Sequence, residues 1–147
     1  MFRRHSNKSE LISEINPYSP VAESFRALRT HIQYANEQKN AVQVITITSS
    51  LPKEGKTTIA VNLAITYARD QKKVLLIDAD LHRPRIHNIF GSNSANGLSH
   101  VLANECGWEA AIRKTHIPNL HFIVAGNIPK HPAELLSSDR FEQLIEE

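Results

Sequence analysis

The sequence predicts an α/β fold whose parallel sheet is doubly wound, with helices on both faces, and three observations carry that prediction. An apolar, β-branched run at Val44, Ile45 and Ile47 leads through a polar turn into Gly55-Lys56-Thr57-Thr58, then into a segment of helical spacing at Ile59, Leu63, Ala64 and Tyr67. That order is strand, loop, helix. A second apolar run, Val-Leu-Leu-Ile at residues 74–77, follows the Gln71-Lys72-Lys73 turn and is continuous, as in a strand buried on both faces. Strand, helix and strand in so short a span form a right-handed βαβ unit, which requires a parallel sheet.

A chain of 147 residues, 41% hydrophobic and 22% charged, has room for one domain with a true core. Its formal net charge of +2 neither demands nor excludes an anionic partner, and Arg3, Arg4 and Lys8 read as a small basic tail. Cys106 is the only cysteine, so no disulfide can form within the chain. The eight histidines are scattered without metal-ligand spacing. No apolar run approaches the ~20 residues that cross a bilayer, and no signal-peptide core follows the basic start, so the expected location is the cytoplasm.

Residues 1–20 are polar and contain Asn16-Pro17-Tyr18-Ser19-Pro20, which predicts a flexible lead-in; residues 21–147 form the domain. Ala22, Phe25, Leu28, Ile32 and Ala35 recur at helical spacing, with Glu23, Arg26 and Arg29 on another face. That face is either a row of i,i+3 ion pairs or a contact between subunits. After a polar connector come the first strand at 44–47, the loop, a helix to about Asp70 and the strand at 74–77. Further on, residues 92–97 read as a loop, 97–102 and 108–112 as short helical pieces with Trp108 packing, and 120–124 as a third strand. From Pro132 the residues Ala133, Leu135, Leu136, Phe141, Leu144 and Ile145 predict one amphipathic helix.

The chemistry concentrates in two loops. A helix that starts after a turn aims unpaired N–H groups and its positive dipole end at one point, which suits a phosphate. Lys56 can reach the outer phosphates of a nucleoside triphosphate and the Thr57 hydroxyl can ligate Mg²⁺. The pattern is G-x-x-x-x-G-K-[ST] with Ser50 at the first glycine. The bland alternative is a helix N-cap and a solvated lysine. In an open parallel sheet, ligands bind at the carboxyl ends of the strands, which draws attention to Asp78-Ala79-Asp80 after the second strand. Carboxylates two apart in an extended segment point the same way and can serve one metal or one acceptor proton; otherwise they are turn chemistry and helix capping.

With these residues on the page, the chain resembles the bacterial tyrosine kinases of capsular and exopolysaccharide biosynthesis, in the deviant Walker group of phosphate-loop proteins. Residues 49–58, Ser-Ser-Leu-Pro-Lys-Glu-Gly-Lys-Thr-Thr, resemble that family's Walker A, and 75–81, Leu-Leu-Ile-Asp-Ala-Asp-Leu, its Walker A′. Glu23, Arg26 and Arg29 match its E-x-x-R-x-x-R oligomerisation motif, and Ala125-Gly126 through Leu136 resembles the stretch before its Walker B. The resemblance implies an autophosphorylating, ATP-dependent tyrosine kinase with Mg²⁺. Pro52, Lys53, Glu54, Gly55, Lys56, Thr57 and Thr58 would then bind nucleotide, Thr57 and Asp78 the metal, with Lys56, Asp78 and Asp80 catalytic and Asp80 the candidate base. It further implies a membrane activator protein as partner, protein tyrosines as substrates, homo-oligomers through Glu23, Arg26 and Arg29, no nucleic acid, and a cytoplasmic protein held at the membrane by its partner.

Three departures accompany the resemblance. His82 stands where the family's A′ motif has arginine. No apolar strand ending in Asp follows Val124, and Tyr18, Tyr34 and Tyr67 do not form a C-terminal cluster, so the fold reads as incomplete and the kinase as truncated before Walker B. In related folds that strand lies between the phosphate-loop strand and the A′ strand, so its loss predicts unpaired edges and weak autonomous activity. Two alternatives stay open: a partition or division ATPase, against which Leu51 stands where those proteins carry a signature lysine, and a non-catalytic module that co-assembles with a kinase or activator.

Overall fold

A computed structural model describes residues 10–35 and 44–146, which form two compact units. The first comprises 10–35, 44–74 and 117–120, the second 75–116 and 121–146. In the first unit, Ser19 caps the second helix by accepting from the Ala22 N–H at 3.1 Å, and Pro20 occupies the first turn, where its missing N–H costs nothing. This helix, α2, runs Pro20–Tyr34, after a one-turn helix α1 at Ile12–Ile15. The third, α3, spans Lys56–Arg69 and is the centre of the unit, with Val61, Leu63, Ala64, Ile65 and Ala68 buried. It ends where Gln71 turns left-handed at φ 62°, and Asn119 donates to the Ala68 carbonyl at 3.3 Å.

Residues 1–20 were expected to be a flexible lead-in, but within the described part the segment is docked. Leu11 and Ser13 are buried, and the wholly buried Asn62 of α3 is the reason. Its Oδ1 accepts from the Ser13 N–H at 2.8 Å, while Nδ2 donates to the carbonyls of Glu10 at 2.7 Å and Thr58 at 2.8 Å. Arg69 adds a bond to the Ser13 carbonyl at 2.5 Å.

The sheet has three strands, β1 at Val74–Ile77, β2 at Arg113–Lys114 and β3 at Leu120–Ile123, in the order β1-β3-β2. Val74 donates to Asn119 at 2.9 Å and Asp78 to Ile123 at 3.0 Å, so β1 and β3 are parallel. β2 pairs with β3 antiparallel, Arg113 opposite Phe122, which makes the sheet mixed rather than wholly parallel. The core of the second unit gathers Leu81, Leu98, Val101, Leu102, Ala111, Ile123 and Ala125, and Phe90 stacks on Phe122 with ring centroids 4.8 Å apart. Short helices surround it: α4 at Ile86–Ile89, α5 at Leu98–Leu102, α6 at Trp108–Ala111, α7 at Pro132–Leu136 and α8 at Asp139–Glu146. The single C-terminal helix expected from Pro132 is therefore two, parted at Ser137 and Ser138, whose hydroxyls bond back to the carbonyls of Glu134 and Leu135.

The strand expected at 44–47 does not form. Residues 44–49 make no sheet pairing among the described residues, and Val44 and Ile45 stand 52% and 41% exposed. A strand is a shared structure, and β-branched composition cannot supply the partner that completes it. Among the described residues the βαβ unit therefore lacks its first strand. Asn62→Ala tests the packing that does form: it removes the acceptor of the Ser13 N–H and a donor to the Glu10 carbonyl, and should cost about 2–4 kcal/mol in denaturant unfolding. Limited proteolysis should then cut within residues 10–16, which the native unit protects.

Candidate functional site

The phosphate loop belongs to the first unit. Gly55 is left-handed at φ 91° and turns the chain into α3, whose first internal bond runs from the Ile59 N–H to the Gly55 carbonyl at 2.9 Å. A Cβ would meet nothing within 4 Å at Gly55, so conformation rather than crowding selects glycine there. Lys53 is also left-handed, at φ 68°. The first turn of α3 carries no acidic side chain, so its amide end is open to an anion's charge. Glu54, expected among the nucleotide-binding residues, accepts from the Leu51 N–H at 3.0 Å and closes the loop on itself. Pro52, Lys53 and Glu54 are exposed, while Lys56, Thr57 and Thr58 are half-buried where the helix starts.

The paired carboxylates belong to the second unit, and each is committed to its own backbone. Asp78 is buried at the end of β1; its Oδ2 accepts from the N–H groups of Arg85 and Ile86, both at 3.0 Å, and its Oδ1 from Asp80 at 3.3 Å. It thereby caps α4. Asp80 Oδ1 accepts from His82 at 3.2 Å and Arg83 at 2.9 Å, holding the turn that exposes those two side chains. Residues 78–80 lie past the end of β1 and residues 81–83 bend, so both carboxylates sit beside backbone amides that they accept from. Burial pushes the Asp78 carboxyl above its ordinary value, against the amides of Ile86, Arg85 and Asp80, which favour the charged form.

The three charges of the α2 motif also separate. Arg26 donates to the Glu23 carboxylate and, at 2.6 Å, to the Pro17 carbonyl, so this pair stays near the surface and ties α2 to the turn before it. Arg29 turns inward instead. Its side chain is only 18% exposed and bridges Asp70 at 3.3 Å and the Thr66 carbonyl at 3.2 Å, neutralising the carbonyl end of α3. The expectation of one outward face therefore holds for Glu23 and Arg26, not for Arg29.

Sequence reasoning passed over Asn62, although a lone amide between Val61 and Leu63 on the buried side of an apolar helix was a signal. It also passed over the Arg85 and Ile86 amides, which no side-chain pattern announces. Among the described residues no group of His, Cys, Asp and Glu is arranged to hold a metal by itself.

Residues 42–147 match the family described as AAA domain. The chain belongs to that family. The tyrosine-protein kinase YwqD of Bacillus subtilis is 40% identical over 137 residues, covering 93% of this chain and 57% of its own. The putative tyrosine-protein kinase CapB of Staphylococcus aureus is 33% identical over 147 residues, covering all of this chain and 64% of its own. Among solved structures, the chimerical protein CapA2B2 superposes with a TM-score of 0.87 at 41% identity, covering 92% of this chain and 59% of that one. The kinase domain of the Escherichia coli tyrosine kinase ETK gives 0.86 at 35%, covering 92% and 53%. The chain is thus a relative of the bacterial tyrosine kinases with their phosphate-loop α/β fold, and spans between half and two thirds of their matched lengths.

Two measurements follow from this geometry. Because the folded state raises the Asp78 pKa above 3.8, the native protein binds that proton more tightly than the unfolded chain. The group's contribution is thus least favourable at neutral pH and improves as pH falls through the folded pKa toward 3.8. The stability of wild type minus that of Asp78→Asn should accordingly grow on acidification from neutral pH toward the ordinary carboxylate range; a difference that shrinks has the wrong sign. Separately, Arg29→Ala should destabilise by about 1 kcal/mol and Asp70→Asn by less, since Asp70 is partly solvated. The double variant should lose less than the sum of the two in the same denaturation assay.

Proposed function

We propose that this chain is the nucleotide-binding portion of a tyrosine kinase of capsular or exopolysaccharide synthesis, binding ATP with Mg²⁺ and working with a membrane activator at the cytoplasmic face. The observation that carries the reading is the left-handed Gly55 turn that opens α3 at Lys56, with no carboxylate in the first helical turn. That cradle fits a chain of phosphates. Lys56 would neutralise the outer phosphates and hold the γ-phosphoryl in line, while Gly55 and the start of α3 receive its oxygens.

Hard oxygen donors suit Mg²⁺, and Thr57 Oγ with the Asp78 carboxylate are the residues that would hold it. A Mg²⁺ held there would supply positive charge to the phosphate oxygens. Asp78 has a second duty: by capping α4 it fixes the turn that carries Asp80. Asp80 would accept the proton of the acceptor tyrosine as its oxygen attacks the γ-phosphorus and ADP departs. Glu23 and Arg26 form the face of α2 offered to a second subunit.

Unaided activity should be low. Residues 44–49 lead directly into the phosphate loop without a strand partner, and a misplacement of about 1 Å can cost ~100-fold in rate. Lys56→Met tests the site: it removes the charge aimed at the outer phosphates while keeping helix propensity, and should abolish the heat of Mg·ATP binding seen with wild type in calorimetry. Equal binding by both proteins overturns the assignment. Labelled ATP should give little tyrosine phosphorylation with the chain alone and more with an activator fragment.

A further inference from the structure

We infer that Tyr18 is the phosphate-accepting tyrosine of this chain, a modification site on the turn that feeds α2. The inference rests on the kinase reading only for the kind of chemistry, since the phosphoryl donor enzyme can be another kinase of the family. The chain has three tyrosines, and their surroundings differ sharply. Tyr18 is 93% exposed; Tyr34 is 65% exposed on the last turn of α2; Tyr67 is half-buried within α3.

An acceptor hydroxyl must enter another protein's active site while its backbone stays behind, which favours the tip of a turn over the wall of a helix. Tyr18 is at such a tip. The Ser19 N–H donates to the Asn16 carbonyl at 3.1 Å, closing a four-residue turn in which Pro17 and Tyr18 are the central pair. Both neighbours of Tyr18 are anchored: Arg26 holds the Pro17 carbonyl at 2.6 Å, and Ser19 caps α2. The ring is thus presented on fixed backbone, and little ordering is needed for it to dock. Tyr67 is the less accessible acceptor: it is half-buried on the wall of α3, where burial pushes its pKa up, the Arg29 charge opposing the rise and the Asp70 carboxylate adding to it.

In the step itself the Tyr18 Oη forms a bond to the γ-phosphorus of a nucleoside triphosphate. The bond from that phosphorus to the β–γ bridging oxygen breaks, the diphosphate leaves, and the phenolic proton passes to a base of the donor kinase. The product carries about −1.5 to −2 charge at pH 7, one peptide from the carbonyl that Arg26 grips. A phosphate there competes with Glu23 for Arg26 and so acts on the exposed part of the α2 motif.

The test incubates the full chain with Mg·ATP and a separately purified, active full-length kinase of the family, and maps phosphate by tandem mass spectrometry. Tyr18 should carry most of it, and Tyr18→Phe should lower incorporation about tenfold relative to wild type, an order of magnitude in rate. Tyr34→Phe and Tyr67→Phe should stay near wild type. Because the Tyr18 ring is almost wholly in water, the variant should melt as wild type does, which separates a lost acceptor from a lost fold. Phosphate on Tyr34 or Tyr67 instead, or none on this chain while a tyrosine-containing control peptide is labelled in the same tube, overturns the inference. Calorimetry of Mg·ATP on the chain alone reports on the kinase reading independently of this result.

Discussion

One buried carboxamide organises the first unit. Asn62 lies on the buried side of α3, where Thr66 is the only other buried polar residue of the helix, and an amide there is unfavourable unless each of its polar atoms finds a partner. The partners it finds are the Ser13 N–H within α1 and the Glu10 carbonyl before it, besides a carbonyl of its own helix. Apolar contacts tolerate sliding; these bonds fix residues 10–13 at one position along α3. Asp78 has the same part in the second unit, where one buried carboxylate gathers three amides and turns the chain out of β1 into α4.

Local signals were legible wherever a segment could satisfy itself. The α2 and α3 boundaries could be read from Ser19-Pro20 and Gly55-Lys56, because caps and left-handed turns are decided by a few neighbouring residues. β1 and β3 were visible as short apolar runs. What could not be read were features completed from far away in the chain. Residues 44–47 have the composition of a strand and no sheet partner among the described residues, α4 exists because Asp78 supplies its cap from eight residues upstream, and β2 is two residues paired to β3. The docking of residues 10–16 likewise depends on a residue 49 positions distant.

The motifs singled out in the sequence lie at the start of α3 and after the end of β1, but chemical type did not reveal what each side chain holds. Glu54, Asp78, Asp80 and Arg29 all answer to backbone groups of their own unit. A charged residue beside a loop or helix end meets the local amides and carbonyls first, since they are close and cannot leave. Motif letters therefore mark where a ligand's charge is received more reliably than which atom receives it.

Trp108 is the only tryptophan in the sequence, and it packs against the core of the second unit. Its emission is consequently a private optical channel for residues 75–116 and 121–146. Circular dichroism, by contrast, draws much of its signal from α2 and α3. Monitoring one solution by both methods resolves whether the two units lose order together or in succession, with no label attached and no residue altered.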